Sequence, residues 1–223
     1  MHDDRVSSAP SCPSLSPLVV VHADKALVAI DKPAGLLSVP GRGADKADCA
    51  VARVQAQFAD AQTVHRLDMA TSGLLLFARG AAMQRALSVL FETREVVKHY
   101  EAVVDGIVGE DDGEIDLPLL ADWPQRPRQK VDRLHGKPSL TRYRVLNRDP
   151  ATHTTRLALQ PLTGRTHQLR VHLLAIGHPI AGDALYTTSD APTAARLMLH
   201  ATRLELRHPL TSQALVLTSA APF

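Results

Sequence analysis

Short apolar runs bounded by turn residues recur from Leu18 to Leu217, and this punctuation constrains the fold more than any other feature of the chain. Runs of that length suit strands, and none is long enough for a membrane-spanning helix. Residues 18–21 and 26–30, separated by His22-Ala23-Asp24-Lys25, predict a hairpin. Residues 73–78 predict a buried strand, and 100–104, 141–146, 155–160, 197–206 and 214–217 predict five more. Helical spacing is confined to three places. Val51, Val54 and Phe58 share a face within 50–58, and 81–91 forms a second helix. The third starts with Thr166 as its cap, lines one face with Leu169, Leu173 and Ile176, and stops at Gly177 and Pro179. The pattern predicts an α+β fold, with one domain over 18–223 built on a long antiparallel or mixed sheet.

Ahead of this, residues 1–17 place Pro10, Pro13 and Pro17 among five serines without an apolar segment. Such a stretch reads as a disordered tail, neither a signal peptide nor a membrane span. The two cysteines, Cys12 and Cys49, form no spacing motif, so the expectation is a cytoplasmic protein without a structural disulfide.

Net charge is only +2, which by itself names no partner. Its distribution says more. Of 25 basic residues six are lysines, so arginine, which stacks on bases and grips phosphate through two hydrogens, dominates. A GC-rich genome produces the same bias. Arg126, Arg128, Lys130, Arg133, Lys137, Arg142 and Arg144 fall in a stretch with only Asp122 and Asp132, whereas residues 105–116 hold six acids and no base. That alternation predicts a polarised surface suited to a polyanion; the plainer reading is a solvated loop.

Two runs carry candidate chemistry. In Val64-His65-Arg66-Leu67-Asp68-Met69-Ala70-Thr71-Ser72-Gly73, a carboxylate stands in a small-residue loop just before a buried strand, where a scaffold can present it to a cleft. On pattern alone, Asp68 serves equally well as a turn cap for Thr71 or Ser72. In Leu162-Thr163-Gly164-Arg165-Thr166-His167-Gln168-Leu169-Arg170-Val171-His172, Arg165 stands at a helix start beside a glycine that allows close backbone approach. A cation at a helix's positive end calls for an anion nearby, either a carboxylate or a phosphate; an arginine reaching solvent is the alternative. His65, His167 and His172 invite a metal reading. His167 and His172 are five residues apart, which does not align two ligands on one helix face, so no metal is expected.

These runs resemble the two signature blocks of the RluA family of pseudouridine synthases, and the resemblance extends from about Leu18 to Phe223. It takes in Asp31-Lys32-Pro33-Ala34-Gly35-Leu36, Lys98-His99-Tyr100, Gly177-His178-Pro179-Ile180-Ala181-Gly182-Asp183 and Leu197-Met198-Leu199-His200-Ala201. Leu37-Ser38-Val39-Pro40-Gly41-Arg42 and Ala121-Asp122-Trp123-Pro124-Gln125-Arg126-Pro127-Arg128-Gln129-Lys130 are most similar to members acting on both tRNA and 23S rRNA. An N-terminal S4 domain, present in several members, is not expected here. The resemblance implies a single catalytic domain with its cleft across the sheet and an isomerisation that needs no cofactor. Asp68 would be the catalytic carboxylate, Arg165 its basic partner, and Tyr100 the active-site tyrosine. Arg66 would enter the RNA helix as the target base leaves it. His65, Arg126, Arg128, Lys130, His167 and Arg170 are expected to contact RNA, either a tRNA anticodon stem-loop or a 23S rRNA hairpin. A monomer without an obligate protein partner completes the expectation. Three rivals remain: a synthase for other 23S rRNA uridines, a non-catalytic RNA-binding protein, and a glycoside or nucleoside hydrolase, which would require a second carboxylate.

Overall fold

The structure, a computed structural model, describes residues 18–43, 46–187 and 193–223. The expected disordered tail, with Cys12, lies outside the described residues. Strands β1 (Val19–Ala23) and β2 (Leu27–Lys32) form the expected antiparallel hairpin. Asp24 closes it, with Oδ1 accepting the amides of Ala26 at 2.7 Å and Leu27 at 3.0 Å. Helix α1 (Ala50–Gln55) and strand β3 (Ala61–Thr63) lead to β4 (Ser72–Arg79), helix α2 (Gly80–Glu92) and β5 (Val97–Asp105). After β6 (Asp112–Asp116), strands β7 (Leu119–Ala121) and β8 (Gln129–Val131) pair as a separate ribbon around a 3-10 turn at Trp123–Gln125. The chain then runs through β9 (Leu140–Asp149), β10 (Thr154–Pro161), helix α3 (Gln168–Ala175), β11 (Leu199–Arg207) and β12 (Ala214–Thr218).

Among the described residues, one mixed sheet runs β1-β2-β4-β11-β5-β10-β9-β6, with β3 joined to β4 and β12 to β11. Local pattern accounts for the strands. β10 alternates, burying Thr155, Leu157, Leu159 and Pro161 while the residues between stay half-buried, as a strand with one core face should. β4 is apolar over 73–78 and buried almost end to end because it lies inside the sheet, between β2 and β11.

β4 and β11 supply the one parallel pairing in this sheet, and it lasts for only two residue pairs, His200↔Ser72 and Ala201↔Gly73. Gly73 permits the contact: its φ is +107°, and a Cβ there would stand 2.4 Å from the Ala201 carbonyl oxygen. Beyond this touching point the strands part, β3 covering β4 and β12 covering β11. The loop that carries Asp68 enters the sheet at that junction. One core cluster spans β2 to β4 with α1, α2 and part of β11, a second fills β5, β10 and α3, and Tyr100 packs against both.

The short strands β3, β6, β7 and β8 go beyond the sequence expectation, since their partners rather than their composition set them. β6 is acidic, yet it pairs with basic β9, placing Asp112 opposite Arg144 and Glu114 opposite Arg142, with a 2.7 Å ion pair in the second case. Asp111 meets Arg148 at 2.8 Å. The polarised surface expected from the charge alternation is therefore partly cancelled by folding, because the acidic stretch and the basic residues of β9 face each other. The basic excess that remains lies on and after the β7–β8 ribbon.

Helix α3 also departs from expectation. Its preceding residue is His167, not Thr166, with a left-handed φ of 53° and no side-chain cap. Every residue from Gln168 to Leu173 is buried, so the helix is an interior element rather than one with a single apolar face. Its polar residues are satisfied inside. Gln168 accepts from Thr163 Oγ1 and the Arg165 amide, and donates to Leu140 O and Thr141 Oγ1. His172 lies between Thr141 Oγ1 at 2.9 Å and Leu117 O at 3.0 Å, a packing role. No described helix is long and apolar enough to cross a membrane.

Candidate active site

The loop before β4 is fastened from below by the segment after β2. Leu67 exchanges two hydrogen bonds with Ser38: its amide donates to Oγ at 3.0 Å, and Oγ donates back to its carbonyl at 2.7 Å. The Met69 carbonyl accepts the Gly35 amide at 2.8 Å and Lys32 Nζ at 3.1 Å. Lys32, fully buried, also donates to the carbonyls of Pro33 and Leu36. Burial pulls its pKa down to about 8, with Asp68 opposing the shift and Arg196 adding to it. At the far end of the loop, Ser72 accepts from Arg196 and bonds His200. Arg66 and Asp68 thus alternate outward from a backbone anchored at Leu67 and Met69. The turn itself closes through the Asp68 main chain, whose carbonyl accepts the Thr71 amide at 3.1 Å. The carboxylate is therefore left free of the capping role that pattern alone allowed.

The cation facing Asp68 is Arg170. Its Nη1 lies 3.4 Å from Asp68 Oδ2, while Nε and Nη2 grip both oxygens of Asp183 at 2.7 Å each. Burial works against the charged guanidinium, but the Asp183 hydrogen bonds and the two carboxylates outweigh it and raise its pKa. Asp183 is in turn fixed by the amides of Leu185 and Tyr186. This corrects two sequence assignments. Arg170, expected on the RNA surface, is interior. Arg165, expected as the partner of Asp68, is exposed on the cleft wall with Nε 3.4 Å from Pro138 O. Arg165 meets a carbonyl rather than a carboxylate, as the solvent-reaching alternative allowed, and the guanidinium that meets Asp68 lies five residues further on, inside α3. Gly164 does not admit another backbone, since the nearest atom to a Cβ there is Lys98 Nζ at 3.6 Å.

His167 Nε2 is 3.7 Å from Asp68 Oδ2, and its Nδ1 is 2.7 Å from the Tyr186 hydroxyl. Burial lowers its pKa, with the Asp68 charge pulling the other way. It stands beside the carboxylate, on the wall of the same cleft. His65, half-buried, also lines the cleft. Its Nε2 accepts the Leu76 amide at 2.9 Å and its ring stacks on Phe91 at 4.4 Å. Burial, with Lys98 adding to it, pushes its pKa down to about 3, so the ring stays neutral.

Asp68, Tyr100, Arg66, Arg165 and His167 line one cleft of about 630 Å³. Burial, reinforced by the Asp68 charge, raises the Tyr100 pKa, so its hydroxyl remains a neutral phenol at ordinary pH. Arg66 is exposed, two residues from the carboxylate. On the ribbon, Trp123 is 65% exposed and carries the Arg126 guanidinium 3.4 Å above its ring. Arg128 bonds Gln125 and lies over the Tyr186 ring, and Lys130 is exposed on β8. Sequence reasoning missed Lys32, Ser38, Asp183 and Tyr186 as site residues. A lysine at the end of β2, after the apolar run at residues 27–30, was the one available signal; the others act through contacts far away in sequence. Among the described residues, no group of three His, Cys, Asp or Glu side chains is placed to share a metal.

Comparison with known proteins agrees with this arrangement. The RNA pseudouridylate synthase family model matches residues 26–175. The dual-specificity RNA pseudouridine synthase RluA of Pasteurella multocida is 50% identical over 191 residues, covering 85% of this chain and 87% of the relative. Its namesake in Yersinia pestis is 50% identical over 188 residues, covering 84% and 91%. That of Escherichia coli K12 is 47% identical over 190 residues, covering 85% and 86%. Among solved structures, human RNA pseudouridylate synthase domain containing 1 superposes with a TM-score of 0.78 at 28% identity, covering 92% of this chain and 84% of that one. Human RNA pseudouridylate synthase domain containing 4 gives 0.73, also at 28% identity, with 92% and 88% covered. A family match over most of the chain, close relatives along nearly their whole length, and an aspartate set against a buried arginine in a tyrosine-lined cleft lead to one conclusion: the chain belongs to the RNA pseudouridylate synthase family, in its RluA group.

Proposed function

We propose that this enzyme isomerises uridine in two kinds of structured RNA, a tRNA anticodon stem-loop and a 23S rRNA hairpin, with Asp68 as the reacting carboxylate. The reaction breaks the N1–C1′ bond, turns the uracil in place and rejoins it through C5. It therefore requires an anion at the sugar or base, shelter from water and a grip on the detached ring. One observation carries the reading: Asp68 is paired with buried Arg170 in a cleft that Tyr100 also lines. Arg170 supplies the counter-charge that a half-buried carboxylate requires. Tyr100 offers a face on which a uracil can stack, worth about 1–3 kcal/mol per base. Because its phenol is neutral, it accepts a C5 proton only as it passes its own proton on. Arg66, exposed at the rim, is placed to fill the gap left by the extruded base, whose removal costs a few kcal/mol of stacking. Specificity for two RNAs rests on the relatives named dual-specificity, at 47–50% identity.

The hydrolase alternative loses its footing here. The neighbouring carboxylate, Asp183, is fully buried with both oxygens committed to Arg170, so it is not available to activate water. We place the enzyme in the cytoplasm as a monomer without an obligate partner, as part of the same reading. The test is incubation with an anticodon stem-loop and with a 23S rRNA hairpin, followed by pseudouridine analysis of each. Both RNAs should be modified, and Asp68→Asn should lose turnover while keeping RNA affinity. Turnover in Asp68→Asn at the native rate refutes the assigned carboxylate, and modification of only one RNA refutes dual specificity.

A further inference from the structure

Two hydrogen bonds join the β7–β8 ribbon to His167, whose Nε2 stands 3.7 Å from the Asp68 carboxylate. The Gln129 amide on β8 donates to Tyr186 Oη at 2.7 Å, and Oη lies 2.7 Å from His167 Nδ1. An amide is only a donor, so it occupies a lone pair of the hydroxyl and leaves the hydroxyl's own hydrogen to be placed. Among the described residues, the acceptor within reach is His167 Nδ1, and Tyr186 is 1% exposed, so water offers no substitute. His167 must then carry its proton on Nε2, the nitrogen that faces Asp68 Oδ2 at 3.7 Å. Arg170 also meets Asp68 at Oδ2, and Oδ1 has no partner among the described residues.

A second observation concerns the backbone. His167 holds φ = 53°, a conformation in which a side chain bearing a Cβ is disfavoured and which glycine or asparagine adopts more readily. Such strain persists where the surroundings over-determine the residue, and it clusters at working sites. Here the surroundings are explicit: the ring is 9% exposed and stands edge-on to Tyr186 at 5.5 Å and 84°. From this backbone the ring reaches Tyr186 through Nδ1 and faces Asp68 through Nε2.

We infer that His167 is a positioning residue for Asp68, locked as the Nε2–H tautomer by Tyr186, and that this lock couples the seating of the basic ribbon to the orientation of the carboxylate. The inference rests on the proposed reading of the cleft as a uridine site in RNA. Gln129 is flanked by Arg128 and Lys130, so RNA pressing on the ribbon acts one hydrogen bond away from Tyr186. When the ribbon is displaced, the hydroxyl loses its fixed donor, the tautomer bias relaxes, and the Nε2–H no longer faces Asp68.

Two measurements test this. In 15N spectra of the wild-type protein, His167 should appear as one neutral tautomer, with Nδ1 bare and Nε2 protonated; an Nδ1–H tautomer overturns the inference whether or not any variant folds. Tyr186→Phe keeps the ring and removes the hydroxyl. It should mix the His167 tautomers and lower kcat by roughly 10- to 100-fold, the scale of a small misplacement of a reacting group, while KM for the anticodon stem-loop stays within about twofold. Unchanged kcat, or a lowered kcat with the tautomer intact, overturns the coupling. If wild-type protein forms no pseudouridine in either RNA, the functional reading fails instead, and the spectra still report on the lock.

Discussion

Replacing Arg170 by alanine tests the architecture of the site more severely than replacing Asp68, the proposed catalytic residue. The guanidinium is 5% exposed and serves two carboxylates, one of them, Asp183, fully buried. Truncation leaves Asp183 without its counter-ion in a region that water does not reach. Removing one partner of a buried pair costs about 3–5 kcal/mol. For a domain of this size each kcal/mol moves Tm by about 2–4 °C, so Arg170→Ala should melt roughly 6–20 °C below the wild type. Arg170→Lys should recover little, since an ammonium cannot bond both Asp183 oxygens and still face Asp68. The matched control is Arg165→Ala. That side chain is exposed, with one long contact to a carbonyl, so its removal should change stability by no more than about 0.5 kcal/mol. Thermal and urea unfolding followed by circular dichroism read both variants. Equal stability losses in the two, or an Arg170→Ala protein as stable as wild type, would refute the assignment of Arg170 as the buried counter-charge.

Three further outcomes follow from the geometry. His65 has a folded pKa near 3 against an ordinary value of 6.5, so the unfolded chain binds the extra proton first and stability is lost as pH falls below about 6.5. At pH 5 the loss from this residue should be about 2 kcal/mol by urea titration; a stability that does not fall between pH 7 and pH 5 contradicts it. Gly73→Ala should lower stability by about 3 kcal/mol or more, because the new methyl group meets the Ala201 carbonyl at a φ of +107°; a thermal midpoint equal to wild type would show that β4 and β11 do not approach as described. Lys130→Ala should weaken RNA binding and reduce the slope of log K against log salt by up to about one unit, without changing kcat; an unaltered salt slope removes Lys130 from the RNA interface.

Much of the framework was legible along the chain. The hairpin, the central strand β4 and the long strands β9 to β11 are visible because alternation and apolar runs are local properties, set by which face a side chain presents. Asp68 and Tyr100 were marked by resemblance to family motifs that stand within single runs of sequence; on pattern alone Asp68 served equally well as a turn cap. The short strands were hidden for the opposite reason. Nothing in Asp112-Gly113-Glu114-Ile115-Asp116 prefers a strand until β9 lays Arg142 and Arg144 alongside it. The same pairing cancels part of the charge separation that the linear sequence suggests.

The partner of Asp68 marks the boundary between the two levels. Resemblance to family motifs, each within a single run of sequence, set a carboxylate before a buried strand and an arginine near the start of a helix in one site, whereas residue pattern alone left a turn cap and a solvent-facing arginine equally open. Which arginine meets the carboxylate was decided by the tertiary structure. The left-handed turn at His167 begins α3 later than its cap residues suggest, turns Arg170 into the interior, and leaves Arg165 outside. Lys32, Asp183 and Tyr186 join the site from segments far apart in the chain, and their roles arise from burial and distance, which exist only once the sheet has closed.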